Sequence, residues 1–246
     1  MDERIQRLKQ AAEGGAIDTL YTLIQEDVKL LEDIDALPFV ETPLHTAVSA
    51  GQISFAMEMM RLKPSFTRKL NPNGLSPIHL ALPYKQTQMD MVHIRMVRRL
   101  LQVDGDLVRV KGKEGKTLLH HAATRDDHPY LLTEFLLACP QSIEDVTIHN
   151  ETALHIALKE NNLQGFQVLV GWLRKSWIKN SKFRERTILN WKDENDNTVL
   201  HVAVYKNQPK ASSLRSLLNS IKETNGEILH NHRLGFELVA NSTIGF

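Results

Sequence analysis

The sequence contains a single cysteine, Cys139, among 246 residues. One cysteine excludes an intramolecular disulfide and a thiolate metal cluster, and it is compatible with a reducing compartment. Cys139 lies in the apolar stretch LLACPQS, which favours a buried structural thiol over a reactive one.

An excess of charge of one sign is also lacking. Lys and Arg total 30 and Asp and Glu total 29, so the chain has no global attraction to nucleic acid or acidic lipid. No segment approaches the ~18 uncharged apolar residues that a membrane span requires. The charged N-terminus MDERIQRLKQ lacks the apolar core of a secretory signal. We therefore expect the chain as written to be cytoplasmic.

Catalytic and cofactor motifs are missing from the sequence. There is no nucleophile elbow, no HExxH and no CxxC. The segment GKEGKT at residues 112–117 resembles a phosphate loop, but Val110 stands where the first glycine of that motif belongs. We expect no enzymatic activity, no cofactor and no metal site, and only weak adventitious metal binding at His120-His121 or at the pair His230 and His232.

A six-residue pattern that recurs five times is the most informative feature. It reads TPLHTA at 42–47, SPIHLA at 76–81, TLLHHA at 117–122, TALHIA at 152–157 and TVLHVA at 198–203. The intervals are 34, 41, 35 and 46 residues, so two of them lie close to a period of ~33 residues and two contain insertions.

Each copy has the chemistry of a helix start. Ser or Thr is a good N-cap, the Leu or Ile one turn later supplies a buried contact, and the final Ala allows a neighbouring helix to approach closely. A second apolar segment with helical spacing follows, for example Ile53, Ala56, Met57 and Met60. The repeating unit is therefore predicted to be a helix, a short turn, a second helix and a loop.

A left-handed turn is predicted two residues before each cap. Gly74 and Gly115 occupy this position, and Asn150 and Asp196 replace glycine in later copies. Val40 holds the position in the first copy, where a β-branched side chain fits positive φ poorly. We expect the first hairpin to have a different shape.

These features together resemble the ankyrin repeat, whose signature TPLHxA follows a turn glycine. The resemblance covers roughly residues 1–207 and implies an all-α ankyrin-repeat solenoid of stacked helix pairs with short hairpin loops, six pairs in all with the last incomplete. We predict a degenerate capping repeat at 1–36, ankyrin repeats at 37–208, and a divergent tail at 209–246 that is partly helical and then disordered.

Several segments also resemble a plant family that has an N-terminal ankyrin array and a C-terminal multi-pass membrane domain of the PGG type. They read LKQAAEGG, TPLHTAVSAG, RLKPSF, ETALHIAL, VLVGWL and NWKDENDNTVLHVAV. The resemblance implies a scaffold or adaptor in plant defence signalling, and it places full-length relatives at the cytoplasmic side of the plasma membrane. The tail has neither a signature copy nor an apolar span, so we expect a product truncated or alternatively spliced before that domain.

The resemblance assigns two roles to residues of the array. Signature side chains are expected to be structural, with each histidine ring bridging a helix start to a neighbouring loop backbone: Thr42, His45, Ser76, His79, Thr117, His120, Thr152, His155, Thr198 and His201. Hairpin tips and inner helices are expected to bind a partner on the concave face: Asn73, Leu75, Tyr84, Lys113, Glu114, Lys116, Arg125, His149, Glu151, Lys159, Asn195, Asn197 and Tyr205.

The chemistry of that face indicates the class of partner. Its side chains carry both charges, which suits another protein better than nucleic acid, since DNA would favour a strip of Lys and Arg. We expect the chain to be a monomer. The signature histidines lie about one repeat apart, roughly 10 Å in a stacked array, which is too far for shared zinc ligation.

One stretch leaves an alternative function open. Residues 172–192 contain all three tryptophans and seven basic residues, with Glu185 as the only acid. Basic residues interleaved with aromatics can bind acidic lipid, so a peripheral membrane binder is the alternative to a protein-binding module. A prolonged outer helix followed by a solvated loop is the simpler interpretation.

Two further predictions concern local structure. Pro83 is predicted to end or bend the inner helix of its repeat, with residues 84–90 forming a loop. In the tail, Leu214, Leu217, Leu218 and Ile221 recur at helical spacing, so residues 212–222 are predicted to form a helix that docks as a substitute cap. Residues beyond 226 are expected to be poorly ordered.

Overall fold

The computed structural model describes residues 3–82, 91–125, 129–174 and 181–206, with the side chains of 181–184 excepted. Within these ranges the chain forms thirteen α-helices and no β-strand. They are α1 (Glu3–Gly14), α2 (Ile17–Glu26), α3 (Leu30–Ala36), α4 (Pro43–Ser49), α5 (Ile53–Leu62), α6 (Pro77–Leu80), α7 (Met91–Val103), α8 (Leu118–Ala123), α9 (Pro129–Ala138), α10 (Ala153–Lys159), α11 (Leu163–Leu173), α12 (Ser181–Leu189) and α13 (Val199–Tyr205). The predicted all-α solenoid is confirmed.

The helices stack in two rows. The inner helices that begin at the signature contact one another, α4 with α6, and α8 with α10 and α10 with α13, while α1 packs on α4. The outer helices α5 and α7 contact each other, as do α9 and α11. Between these two groups, a 3-10 helix at Gly105–Arg109 contacts α7, α8 and α9. A continuous apolar core therefore runs along the stack.

Each signature builds a capping box, and the histidines of the first four also reach the next hairpin. In the first copy, the His45 backbone N–H donates to the Thr42 hydroxyl, and the Thr42 N–H donates to His45 Nδ1 at 3.1 Å. Because Nδ1 accepts, the ring proton is on Nε2, which donates to the Leu75 carbonyl at 3.0 Å. The same box forms at the other four signatures.

The link to the following hairpin repeats along the stack. Nε2 of His79, His120 and His155 lies 3.2 Å from a carbonyl of the next hairpin, namely that of Lys116, Glu151 and Asn197. Burial lowers the pKa of His45 and His120 to about 4 and that of His79 to about 3. The rings are therefore neutral at physiological pH, as the donor and acceptor pattern requires.

The turn positions behave as their residue types predict. Gly74, Gly115, Asn150 and Asp196 have φ values of 72°, 68°, 60° and 60°. Val40 is not among the residues with positive φ, and its N–H donates to the Leu70 carbonyl at 3.2 Å. The prediction of a differently shaped first hairpin is confirmed.

Helix α6 ends at Leu80, three residues before Pro83 in the sequence. An uninterrupted inner helix from His79 to Met89 is therefore absent, as predicted. Residues 84–90, the predicted loop, lie outside the described residues. The predicted tail helix at 212–222 and the predicted disorder beyond 226 also lie outside them.

Two helices were not predicted as separate elements. Helix α3 contacts α2 ahead of the first signature, and α12 contacts α11 within the insertion before the last one. None of the helices in the described ranges combines the length and apolar character needed to cross a bilayer.

Candidate functional site: a groove at the hairpin tips

The hairpins that precede the signatures form one edge of the stack. We number them by the signature that each precedes: the first at residues 37–41, the second at 71–75, the third at 112–116, the fourth at 147–151 and the fifth at 193–197. Main-chain hydrogen bonds join the tips of the last three. The Ile148 N–H donates to the Glu114 carbonyl at 3.0 Å, and the Glu194 N–H donates to the His149 carbonyl at 2.9 Å.

A side chain at the first position shapes three of these hairpins. Asn71 Oδ1 accepts from the backbone N–H groups of Asn73 and Leu75, both at 3.0 Å. Thr147 and Asp193 accept from the third and fifth residues of their own hairpins in the same way. These local bonds satisfy backbone donors and fix the turn.

The third hairpin has Gly112 at that position and therefore lacks this acceptor. A Cβ atom on Gly112 would lie 3.1 Å from the Gly74 carbonyl oxygen and 3.1 Å from Cε1 of His79. A side chain here would therefore be tight against the preceding repeat. The turn adopts another shape, in which Glu114 as well as Gly115 has positive φ.

The bonds between tips are interrupted at the third hairpin. In the fourth and fifth hairpins, the N–H of the second residue donates to the carbonyl of the third residue in the preceding hairpin. The equivalent groups here are the Lys113 N–H and the Asn73 carbonyl, and neither has a hydrogen-bond partner in the described part of the chain. In the second hairpin the second residue is Pro72, which has no N–H to donate.

A groove of about 760 Å³ opens where these bonds are absent. Its lining comes from the first three hairpins and from helix α8: Phe39, Pro72, Asn73, Gly74, Leu75, Lys113, Glu114, Lys116 and His121. Five of these residues are among those predicted to bind a partner: Asn73, Leu75, Lys113, Glu114 and Lys116.

The apolar part of the groove contains a residue that sequence reasoning missed. Phe39 lies in the first hairpin with its side chain 63% exposed, beside Pro72 and Leu75 among the lining residues. In the sequence, this hairpin is marked as unusual only by Val40, the residue that follows Phe39. An exposed aromatic side chain in a concave site is a frequent anchor for a bound protein.

His121, the second histidine of TLLHHA, also lines the groove. Its ring packs edge-to-face on His79, with 5.2 Å between centroids. Burial lowers the pKa of His121 to about 4, so the ring is neutral at physiological pH. Its Nε2 atom is buried and has no hydrogen-bond partner among the described residues.

Positive charge exceeds negative charge in the groove. Lys116 Nζ pairs with Glu114 at 2.7 Å, and the hydrogen bond from Lys116 is the main cause that lowers the pKa of the Glu114 carboxyl. Lys113 is exposed and forms no ion pair within the described chain. One ammonium group is thus left to interact with a bound molecule.

Three predicted binding residues of the later repeats, His149, Glu151 and Lys159, form contacts within the array instead. Lys159 Nζ lies 2.6 Å from Glu151 Oε1 and 3.0 Å from the buried Asp193 Oδ2, so it bridges two repeats. His149 Nδ1 lies 2.8 Å from Glu194 Oε2, and this hydrogen bond raises the pKa of His149. Lys159 is therefore part of the junction between repeats.

The remaining predicted contacts that the structure describes are not among the residues that line the groove. Asn195 is exposed at the fifth hairpin, and Asn197 is tied into that hairpin through its N–H and its carbonyl. Arg125 is half-buried, and Tyr205 on α13 is 88% exposed. Tyr84 lies outside the described residues.

Part of the basic insertion at 172–192 packs in the core. Trp172 is 2% exposed, and Arg174 Nε lies 3.6 Å from the buried Glu185 carboxylate. Trp191 is 36% exposed, and Trp177 lies outside the described residues. At least one of the three tryptophans is therefore a packing residue.

Cys139 is buried, and burial raises the pKa of its thiol. This agrees with the predicted structural role. In the ranges that the structure describes, no three His, Cys, Asp or Glu side chains are arranged to hold a metal ion.

Comparison with known proteins supports the repeat architecture. A family model of ankyrin repeats, in three copies, matches residues 89–180. Ankyrin repeat-containing protein BDA1 of Arabidopsis thaliana is 50% identical over 70 residues, which are 28% of this chain and 16% of that protein. The match therefore spans well under two thirds of the length of BDA1.

A similar fold is found among solved structures. A chain from the complex of the predatory endopeptidase Bd0816 of Bdellovibrio bacteriovorus with immunity protein Bd3460 superposes with a TM-score of 0.57 and 22% identity, covering 85% of this chain and 97% of that one. At this identity only the fold is shared. The fold is thus an ankyrin-repeat solenoid, a class of protein–protein interaction module, and the plant family with a PGG-type domain is supported only in its ankyrin repeats.

Proposed function

We propose that this chain is a non-enzymatic adaptor that binds a partner protein at the tip groove, in a plant defence signalling pathway. The groove itself is the observation that carries the proposal. It brings an exposed aromatic side chain, Phe39, together with Lys113, whose ammonium group forms no ion pair among the described residues, in a concave site. The similarity to an Arabidopsis ankyrin protein supports the plant setting, and the resemblance to the plant membrane-anchored family motivates the defence role.

Energetics favour the groove over the rest of the concave face as the main contact. Burying an exposed Phe side chain contributes roughly 1.5–3 kcal/mol, and few interface residues contribute more than about 1 kcal/mol. Phe39 can add this term because it is 63% exposed in the free protein. Lys159, by contrast, would have to give up two ion pairs within the array.

The setting that we propose is the cytoplasm, with full-length relatives at the inner face of the plasma membrane. Near-neutral composition without a long apolar run supports this for the chain as written. Lipid binding through residues 172–192 has less support, because Trp172 is buried and Arg174 faces an acidic partner.

Site-specific photocrosslinking in plant cell extract tests the proposal. A photoreactive amino acid is placed at Asn73 or Leu75 in the groove and, as controls, at Val103 or Leu137 on outer helices, which are 63% and 61% exposed. We expect a discrete protein adduct from the groove positions only, and Phe39→Ala should abolish it. Equal adducts from the outer helices, or none from the groove, would refute the proposed binding site.

A further inference from the structure

Two residues that line the groove have main-chain groups without hydrogen-bond partners in the described chain. The Lys113 N–H and the Asn73 carbonyl lack partners in the described chain, whereas the equivalent groups of the fourth and fifth hairpins bond to the hairpin before each. One free donor and one free acceptor on neighbouring tips are what an extended peptide requires, because a strand presents its own N–H and C=O along its edge. A helix would have its main-chain groups bonded internally.

The side chains around these two groups restrict which peptide sequences can bind. Phe39, Pro72 and Leu75 form an apolar surface, which favours a large apolar side chain. Lys113 and Lys116 together exceed the single negative charge of Glu114 among the lining residues, and Glu114 forms its ion pair with Lys116 at 2.7 Å. A carboxylate would be attracted to this site and a basic side chain repelled.

His121 adds no positive charge to the groove. Its ring is held in a buried contact with His79 and is neutral at physiological pH. The attraction for a carboxylate therefore rests on the lysine side chains of the groove.

Resting on the proposed function, we propose that the occupant of the groove is an extended segment of the partner protein in which an Asp or Glu lies close to a large apolar residue. Its main chain pairs with the Lys113 N–H and the Asn73 carbonyl, its carboxylate pairs with the Lys113 ammonium, and its apolar side chain packs on Phe39 and Leu75.

Selection from a random peptide library against the purified chain tests this inference. We expect the selected peptides to share an Asp or Glu within about three residues of Phe, Leu, Ile or Trp, a spacing that an extended strand can span across the groove. A fluorescein-labelled consensus peptide is then titrated by fluorescence polarisation.

Protein variants locate the binding. Lys113→Glu and Phe39→Ala should each weaken binding by about tenfold or more. The matched controls Lys9→Glu and Val103→Ala, at exposed positions on α1 and α7, should leave affinity unchanged. Because all four residues are exposed, the variants are expected to keep the wild-type circular dichroism spectrum.

Peptide variants test the extended conformation and the charge. Each backbone nitrogen of the consensus peptide is methylated in turn. Methylation at one position should weaken binding by about tenfold, namely where the peptide N–H donates to the Asn73 carbonyl. Raising NaCl from about 50 to about 500 mM should weaken binding several-fold.

Three outcomes would overturn the inference: no selected peptide, a consensus without an acidic residue, or binding that is insensitive to Lys113→Glu and Phe39→Ala. If crosslinking from Asn73 and Leu75 still captures a protein in that case, the partner binds through a folded surface. The proposed function then stands while the peptide inference falls. If neither the peptide selection nor the crosslinking gives the expected result, the peptide inference and the proposed function are both refuted.

Discussion

Acid should unfold this protein through its buried histidines. His45, His79 and His120 are neutral in the fold, where each receives a hydrogen bond at Nδ1 and reaches a carbonyl of the next hairpin through Nε2. Protonation would place a charge in a buried site and remove the Nδ1 acceptor. His121 is half-buried with its ring packed on His79, and its pKa is lowered in the same direction.

The direction of the effect follows from the pKa values. Burial lowers the pKa of His45, His120 and His121 from 6.5 to about 4, and that of His79 to about 3. Because the folded state binds protons more weakly than the unfolded state, stability is fully present above about pH 6.5 and is lost as the pH falls toward 4.

The magnitude is large relative to typical domain stability. At pH 5 each of these histidines lowers the free energy of unfolding by about 2 kcal/mol relative to neutral pH, and the four together lower it by about 8 kcal/mol. Single domains have roughly 5–15 kcal/mol in all. Most of the stability should therefore disappear before the carboxylates begin to protonate, near pH 4.

Urea denaturation monitored by circular dichroism between pH 8 and pH 5 measures this. We expect the free energy of unfolding to fall by about 5 kcal/mol per pH unit near pH 5.5. His120→Gln should reduce that slope by about a quarter, whereas His149→Gln should not, because the pKa of exposed His149 is raised rather than lowered. A stability that is flat from pH 7 to pH 5 would show that the rings are not the neutral, buried groups described here.

Two further predictions concern junctions between repeats and use the same denaturation assay. Gly105→Ala should destabilise the protein by about 1–3 kcal/mol, since the new Cβ would lie 2.8 Å from the Ala138 carbonyl oxygen. Its control is Gly171→Ala, whose new Cβ would meet nothing within 4 Å, and this variant should be neutral or stabilise the protein by up to about 1 kcal/mol. Equal effects of the two substitutions would contradict the packing described for Gly105. Lys159→Met should cost about 1–3 kcal/mol by leaving the buried Asp193 carboxylate without its cation; no measurable loss would mean that the two backbone N–H groups suffice for that carboxylate.

The repeat architecture could be predicted because its signals are local and recur. The cap, the histidine three residues later and the turn residue lie within eight positions of one another, so a single window contains all the interacting groups. Gly74 and Asn150 could be assigned positive φ from residue type alone. The histidine link to the next hairpin came from the family resemblance, and the ring geometry agrees with it.

The groove could be predicted only in part, because it depends on which hydrogen bonds neighbouring hairpins fail to make. Asn73 and Lys113 were selected as exposed tip residues, but nothing in their own identity shows that the bond between them is missing. Two signals were present in the sequence and were not used. Pro72 has no N–H to donate, and Gly112 stands where the other hairpins have a side-chain acceptor.

The prediction for Lys159 illustrates a different difficulty. Its place near the end of an inner helix suggested a concave-face contact. Its two acidic partners, Glu151 and Asp193, are eight and 34 residues away, and the longer of these separations spans an insertion of unknown path in the sequence. A charged residue on the concave face can form an ion pair within the array or remain available to a partner. Only its distance to the other charged side chains in the structure distinguishes the two roles.

Gly112 lies where the structural signature and the groove meet. The His79 ring reaches the Lys116 carbonyl to join two repeats, and a Cβ atom on Gly112 would lie 3.1 Å from its Cε1 atom. Without a side-chain acceptor at Gly112 the third hairpin turns through Glu114 instead, and its Lys113 N–H is left without the bond made at later tips. His45, His120 and His155 make the same link to hairpins that carry Asn71, Thr147 and Asp193 at the first position, so the open edge that we propose as the binding site comes from the hairpin residues and not from the signature. An array can therefore acquire a specific site by changing hairpin residues while every signature stays intact.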